Sequence, residues 1–102
     1  MNNLIDKQGI LTEEALKKLK AYGKTASCEC PKNLVELLES VKEFTQYQEN
    51  CIIEKPADEV THQWLKSTSI TLEHLLSGTI VNLARMEGII DDNNDFIDDA
   101  DA

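Results

Sequence analysis

Three cysteines are the residues of this chain best suited to chemistry. Cys28 and Cys30 are separated by one residue, Pro31 follows directly, and Cys51 comes later in the chain. A thiol at a helix N-terminus faces unbonded amides and the positive end of the helix dipole, which favour the thiolate form that reacts and binds metal. The pattern is compatible with a thiol-based redox or metal sensor. The pattern favours small side chains that pack beneath the helix entrance over a sensor, since cytosolic cysteines are mostly unbridged.

The predicted secondary structure limits which thiols can meet. Proline is favoured at the first position of a helix, so Pro31 is expected to open a helix that runs to Cys51. Cys30 and Cys51 would then lie roughly 30 Å apart, whereas a disulfide needs about 4.4 to 6.8 Å between Cα atoms. They could share a disulfide or a metal only across an antiparallel homodimer. We expect a protein without a cofactor. The alternative is a protein that binds zinc through Cys28, Cys30 and Cys51.

The remaining chemical patterns are weak. Cys28 and Cys30 form only a C-x-C pair, which indicates zinc less strongly than the paired C-x-x-C motifs of a zinc ribbon. His62, expected to be exposed, and His74, expected to be partly buried, are too far apart to share one helical face. The acidic run at 91–95 lacks the glycine and the closing glutamate of an EF-hand. No phosphate-binding glycine loop or nucleophile elbow is present, so we predict that the protein is not an enzyme.

The composition predicts one small helical domain with an acidic end. The chain has 102 residues but only 4 glycines and 2 prolines, too few for the turns of a strand-rich domain. The net charge is −9, and six aspartates lie within residues 91–102. We expect residues 1–90 to form the domain and residues 91–102 to be a disordered tail, which either solubilises the protein or docks on a basic partner.

The charge and the hydropathy also restrict the partners. An acidic chain without a basic patch is not suited to direct nucleic-acid binding. No apolar run approaches the roughly 20 residues of a membrane span, and the first residues lack the pattern of a signal peptide. We therefore expect a cytoplasmic protein without membrane contact.

Capping and periodicity predict an all-α fold. Thr12 is a suitable cap for a first helix over residues 13–22, and Gly23 is a suitable stop. Pro31 opens the second helix, and Pro56 opens a third region that extends to residue 88. Thr71 could divide this third region, so the fold is predicted to be an antiparallel bundle of three or four helices. No internal repeat is evident.

The apolar periodicity predicts where the helices pack. In the second helix, apolar residues such as Leu38 and Phe44 recur at helical spacing, whereas Lys42 and Glu49 are expected to face solvent. The third region carries a seam with alternating spacings of three and four residues, typical of helices that pack in pairs. The seam consists of Leu65, Ser69, Leu72, Leu76, Thr79, Leu83, Met86 and Ile90. The first two helices are too short to cover this seam, so a homodimer is expected. The predicted interface residues are Leu65, Leu72, Leu76, Leu83 and Met86, with Trp64 as a core anchor.

Several short motifs resemble those of a known family. A Cys-Pro-x-x-Leu segment opens at Cys30, a Phe-x-x-Tyr-x-x-x-Cys motif runs from Phe44 to Cys51, and Glu-Gly-Ile begins at Glu87. With its neighbours, this pattern over residues 27–89 resembles the C-terminal helical region of some MerR-type bacterial transcriptional regulators. Residues 1–26 are too few for the DNA-binding domain of that family. The resemblance therefore implies an effector or dimerisation module alone, with Cys28, Cys30 and Cys51 at the family's cysteine positions.

These observations predict a non-catalytic helical module that acts through protein–protein interaction or regulation and forms a homodimer. The alternative is a thiol-based metal or redox sensor that uses Cys28, Cys30 and Cys51.

Overall fold

The computed structural model describes residues 4–23 and 29–97, and this part of the chain is all-helical. It contains three α-helices, α1 (Glu13–Gly23), α2 (Cys30–Glu54) and α3 (Glu59–Met86), and a short 3-10 turn, Pro56–Asp58, between α2 and α3. The predicted all-α class is confirmed.

The helix starts follow the predicted local signals. Thr12 Oγ1 accepts a hydrogen bond from the amide of Ala15 at 3.1 Å, which satisfies one of the otherwise unbonded amides of the first turn. Glu13 and Glu14 lie at the positive end of the α1 dipole, and Lys20 lies in the last turn. In α2, Pro31 follows the first helical residue, where its missing amide hydrogen costs nothing.

Helix α3 is continuous through Thr71, where the sequence allowed a division into two helices. Ser69 Oγ donates to the carbonyl of Lys66 at 2.9 Å, and Thr71 Oγ1 donates to the carbonyl of Ser67 at 3.1 Å. These hydroxyls bond back to their own helix and do not cap a new one. The third predicted region is therefore a 3-10 turn followed by one helix, which ends at Met86.

The apolar core lies at the end of the molecule where α1 packs. Helix α1 lies against α2, where Lys20 pairs with Glu39 at 3.0 Å and Lys42 pairs with Glu13 at 3.7 Å. The core cluster contains Leu4, Leu11, Ala15, Leu16, Leu19, Val35, Leu38, Ile80, Ala84, Ile89 and Ile90.

The molecule is elongated, because α1 covers only part of the other two helices. Its extents are 56 × 26 × 17 Å and its radius of gyration is 15.6 Å, compared with about 13 Å for a compact domain of this length. The 11 residues of α1 span about 16 Å, whereas the 25 residues of α2 span about 37 Å. More than half of the α2–α3 pair therefore has no third helix packed on it.

Two loops at the ends of the chain have the same structure. In residues 5–11, Asp6 Oδ1 accepts hydrogen bonds from the amides two and four positions later, at 2.8 and 3.1 Å. In residues 90–96, Asp91 Oδ1 does the same at 2.8 and 3.0 Å. Each loop is closed by an isolated bridge, and Gly9 and Asn94 hold the same left-handed position. The two loops therefore share one conformation, although the sequence shows no evident repeat.

The second loop corrects the expected start of the disordered tail. Ile90 is buried, Phe96 packs against the core, and the ammonium of Lys18 lies 5.2 Å from the centroid of the Phe96 ring. Residues 91–97 therefore form a closed loop on the domain, because Asp91 satisfies backbone amides and Phe96 has apolar neighbours. Residues 98–102 lie outside the described residues, and for them the disordered acidic tail stays a prediction.

Deletion of residues 91–102 is expected to lower the free energy of unfolding by about 1 to 3 kcal/mol, because the Phe96 contact and the second loop are lost. Deletion of residues 98–102 alone is the matched control and should change it by less than about 0.5 kcal/mol. Urea unfolding followed by circular dichroism measures both. Equal stability of the two truncated chains would contradict the packing of the second loop.

Gly9→Ala is expected to destabilise the protein by about 1 to 2 kcal/mol, because an L-residue at positive φ places its Cβ against the backbone. Gly9 has φ +79°, and an added Cβ would lie 2.6 Å from Nε2 of His74. Gly78→Ala is the matched control. It lies within α3 with no atom within 4 Å of an added Cβ, so it should stabilise the helix by about 0.5 to 1 kcal/mol. Thermal unfolding of both variants should give shifts of opposite sign.

Candidate protein interaction face

Polar and charged side chains lie between α2 and α3 in the region beyond α1. Lys42 lies 3.8 Å from the carboxylate of Glu73, and Lys66 lies 3.8 Å from that of Glu49. Further along, the side chain of Gln48, which is 2% exposed, contacts His62 Nδ1 at 2.7 Å. The expectation that Lys42 faces solvent is therefore wrong, because its side chain is only 22% exposed and lies beside Glu73. Glu49 does face solvent, with a side chain that is 42% exposed beside Lys66.

A buried cluster of polar groups lies at the centre of this region. Thr45 Oγ1 is within hydrogen-bonding distance of the Glu73 carboxylate and lies 2.7 Å from Ser69 Oγ. Thr45, Ser69 and Glu73 are all less than 9% exposed. Among the described residues, no buried side-chain nitrogen or oxygen lacks a hydrogen-bond partner. The cluster is satisfied internally, and its hydrogen bonds join α2 to α3 at one level along the pair.

The polar cluster was missed from the sequence, although a signal was present. Glu59, Lys66 and Glu73 recur every seven residues on α3, and Lys42 and Glu49 are seven residues apart on α2. Charges at this spacing share one side of a helix, so each set marks a common neighbour. Lys42 and Glu49 on α2 are opposite in charge to Glu73 and Lys66 on α3, respectively. This complementarity indicates that the two sets face each other.

One flank of the α2–α3 pair carries no charged residue along either helix. Helical residues seven positions apart share a flank, and the charged residues of α2 and α3 lie toward the partner helix, on the other flank or on the outer side of their helix. We call this surface the uncharged face. It consists of Cys30, Leu34, Leu37, Val41, Phe44 and Cys51 on α2, and of Leu65, Leu72, Leu76, Thr79, Leu83 and Met86 on α3.

The uncharged face lies on the side of the α2–α3 pair away from α1. On α2, the ion pairs to α1 use Glu39 and Lys42, which project from the flank opposite Leu37. On α3, the N-terminal segment contacts the flank of Ser77, whose hydroxyl accepts a hydrogen bond from the amide of Leu11 at 3.0 Å. The second loop also lies beside α1, where the ammonium of Lys18 faces the Phe96 ring. Among the described residues, α1 and the two end loops therefore leave the uncharged face uncovered.

Large apolar side chains on this face are in solvent. The exposed fractions are 51% for Leu37, 44% for Phe44, 43% for Leu72 and 81% for Met86. Leu65, Leu76 and Leu83 are partly buried. The predicted seam is therefore only partly on the buried side of α3: its members Ser69 and Ile90 are buried, whereas Leu72 and Met86 are exposed. The expectation that Phe44 belongs to the core is also wrong.

A second group of exposed apolar residues lies where α2 and α3 are joined. Ile53 is 78% exposed, Val60 is 85% exposed and Trp64 is 67% exposed. Trp64 was expected to anchor the core, but it lies on the outer side of α3, far from α1. The periodicity indicated an apolar position there without indicating which neighbour would cover it.

The candidate thiols are not brought together within the chain. Cys30 begins α2 and is exposed, and Cys51 lies in the same helix and is partly buried. Neither is in a disulfide, and the length of α2 separates them by roughly 30 Å. Cys28 lies outside the described residues. Within residues 4–23 and 29–97, no group of three or more His, Cys, Asp or Glu side chains could hold a metal ion.

The two histidines are placed opposite to expectation. His62 is partly buried through its contact with Gln48, whereas His74 is exposed beside Gly9. Neither of them is close to Cys30 in the fold, because Cys30 lies at the other end of α2 from His62 and on the flank away from His74.

Comparisons with protein-family models, curated proteins and solved structures find no match to this chain. No helix among the described residues is long and apolar enough to cross a membrane.

Proposed function

We propose that this protein is a non-catalytic helical interaction module that self-associates through the uncharged face. The observation that carries the proposal is the distribution of charge. The chain is 28% charged, yet one whole flank of its two longest helices has no charged residue and carries exposed Leu, Phe and Met side chains. Contiguous apolar surface of this kind on a small domain is typical of a protein interaction site.

The arrangement of the helices supports this proposal. Lys42 and Glu49 on α2 contact Glu73 and Lys66 on α3, so rising residue numbers on one helix meet falling numbers on the other. We infer an antiparallel helix pair with α1 packed on one side, which leaves the other side available to complete a helical bundle.

The size of the face is compatible with a dimer. Leu37, Phe44, Leu72 and Met86 are between 43% and 81% exposed, and they lie on both helices of the pair. A standard interface buries about 800 Å² per partner, so a dimer needs both helices to contribute. A second copy brings no formal charge against the face, although each chain carries a net charge of −9.

Regulation is the part of the proposal that rests on the resemblance to MerR-type effector regions. On this interpretation the module has no direct contact with nucleic acid and is cytoplasmic, in keeping with its acidic composition.

Sedimentation velocity of the full chain under reducing conditions tests the proposed self-association. We expect the sedimenting mass to approach twice that of the monomer as the concentration rises. A strictly monomeric protein over the whole accessible range would contradict the proposal.

The thiol-based sensor is the second candidate, and it now requires two chains. Cys30 and Cys51 lie at the two ends of the uncharged face, so a metal or disulfide could join them only across an interface. Elemental analysis of protein purified under reducing conditions separates the two candidates. We expect no stoichiometric zinc, whereas retained zinc in proportion to the thiols would favour the sensor.

A further inference from the structure

The uncharged face has the same residue spacing on both of its helices. On α2, Cys30, Leu37, Phe44 and Cys51 are seven residues apart. On α3, the corresponding stripe is Leu65, Leu72, Thr79 and Met86, again at intervals of seven. The midpoint of the first stripe lies between residues 40 and 41, and that of the second lies between residues 75 and 76.

The two midpoints lie at the same level along the helix pair. Lys42 lies beside Glu73 and Glu49 lies beside Lys66, from which we inferred opposite chain directions. The level of residues 40–41 on α2 therefore corresponds to that of residues 74–75 on α3. This is one residue, or about 1.5 Å, from the midpoint of the α3 stripe. A single axis perpendicular to both helices can therefore pass through the centre of both stripes.

We propose that a second copy of this chain covers the uncharged face about a two-fold axis through these midpoints. This proposal rests on the proposed self-association and specifies its geometry. Helix α2 packs antiparallel to α2 of the partner subunit, α3 packs likewise on α3 of the partner subunit, and the dimer is a four-helix bundle flanked by two copies of α1.

The pairs that this axis creates are chemically suitable. Leu37 meets Phe44 of the partner subunit, so an aliphatic and an aromatic side chain pack at the centre. Leu65 meets Met86 of the partner subunit at the ends of the α3 stripes. The same two-fold rotation also places Phe44 against Leu37 of the partner subunit and Met86 against Leu65 of the partner subunit, as a two-fold interface requires. The charged residues of α2 and α3 stay outside the interface in both chains, so the net negative charges do not meet there.

The cysteines provide a test of this register, because Cys30 should lie opposite Cys51 of the partner subunit. Two full-length variants each retain one thiol: Cys28→Ser with Cys51→Ser keeps Cys30, and Cys28→Ser with Cys30→Ser keeps Cys51. Each variant alone and an equimolar mixture are treated with a short bismaleimide, and the products are resolved by denaturing electrophoresis and peptide mass spectrometry. Circular dichroism and sedimentation check that both variants fold and associate.

We expect a cross-linked dimer in the mixture, joined between Cys30 and Cys51, and its loss in either variant alone. A dimer that cross-links Cys51 to Cys51, or that gives no cross-link in the mixture, would overturn the antiparallel register while leaving self-association intact. Monomeric sedimentation of both variants and of the unaltered chain would overturn the proposed function as well.

Discussion

Leu72→Asp is expected to dissociate the dimer while leaving each chain folded. Leu72 is 43% exposed in the single chain, so an aspartate there can remain hydrated when the chain is monomeric. In the dimer the two-fold axis brings two new carboxylates into an apolar interface, where an unpaired charge is strongly disfavoured. The dissociation constant should rise by at least about 100-fold, equivalent to ~3 kcal/mol. Sedimentation velocity measures this change.

Ser67→Asp is the matched control for this prediction. Ser67 lies on the same helix and is exposed, but it projects from the flank away from Leu72. The same added charge there should leave the dissociation constant nearly unchanged. Far-ultraviolet circular dichroism should show unchanged helix content in both variants. If Leu72→Asp unfolds the chain, Leu72 belongs to the core of the single chain and the uncharged face is misassigned.

Leu38→Ala is expected to lower the free energy of unfolding by about 2 to 5 kcal/mol, because it leaves a cavity in the core. Leu38 is 0% exposed and belongs to the core cluster beneath α1. The measurement is urea unfolding in the Leu72→Asp background, so that unfolding is not coupled to dissociation.

Leu37→Ala provides a closely matched control, because the same side chain is shortened one position away. Leu37 is 51% exposed, so the change should lower the free energy of unfolding by less than about 1 kcal/mol in the monomeric background. In the background that retains Leu72 and can dimerise, Leu37→Ala should raise the dissociation constant of the dimer. Similar unfolding costs for both substitutions would show that α2 is rotated relative to the structure described above.

Helix bounds could be predicted closely, whereas the buried side of α3 could not. The cap at Thr12 and Pro31 depend on local backbone chemistry, so the sequence places the starts of α1 and α2 within one residue. The heptad-like seam of α3 was assigned to the buried side, but its exposed members, such as Leu72 and Met86, lie on an adjacent flank. A seven-residue period shows that residues share a side of a helix and does not show which neighbour covers that side.

The structure shows where the predicted interface residues lie, while their role as an interface stays a prediction. The predicted interface residues all lie on the uncharged face, yet the contribution of α2 through Leu37 and Phe44 was not foreseen. The repeated end loops were also missed, because their shared features are only an Ile-Asp pair and a residue in left-handed conformation, Gly9 or Asn94. Similar hydrogen bonds can arise from sequences that differ at most other positions.

The sequence alone determined that this chain is helical and where its helices begin, because capping and periodicity act over one or two turns. Only the tertiary structure decided which side of α2 and α3 is buried. Helix α1 is short and packs on the flank of Glu39 and Lys42, and the ion pairs of Lys42 and Glu49 with α3 place the charges between the helices. The opposite flank therefore keeps its apolar residues in solvent, a result that depends on contacts between segments far apart in the chain.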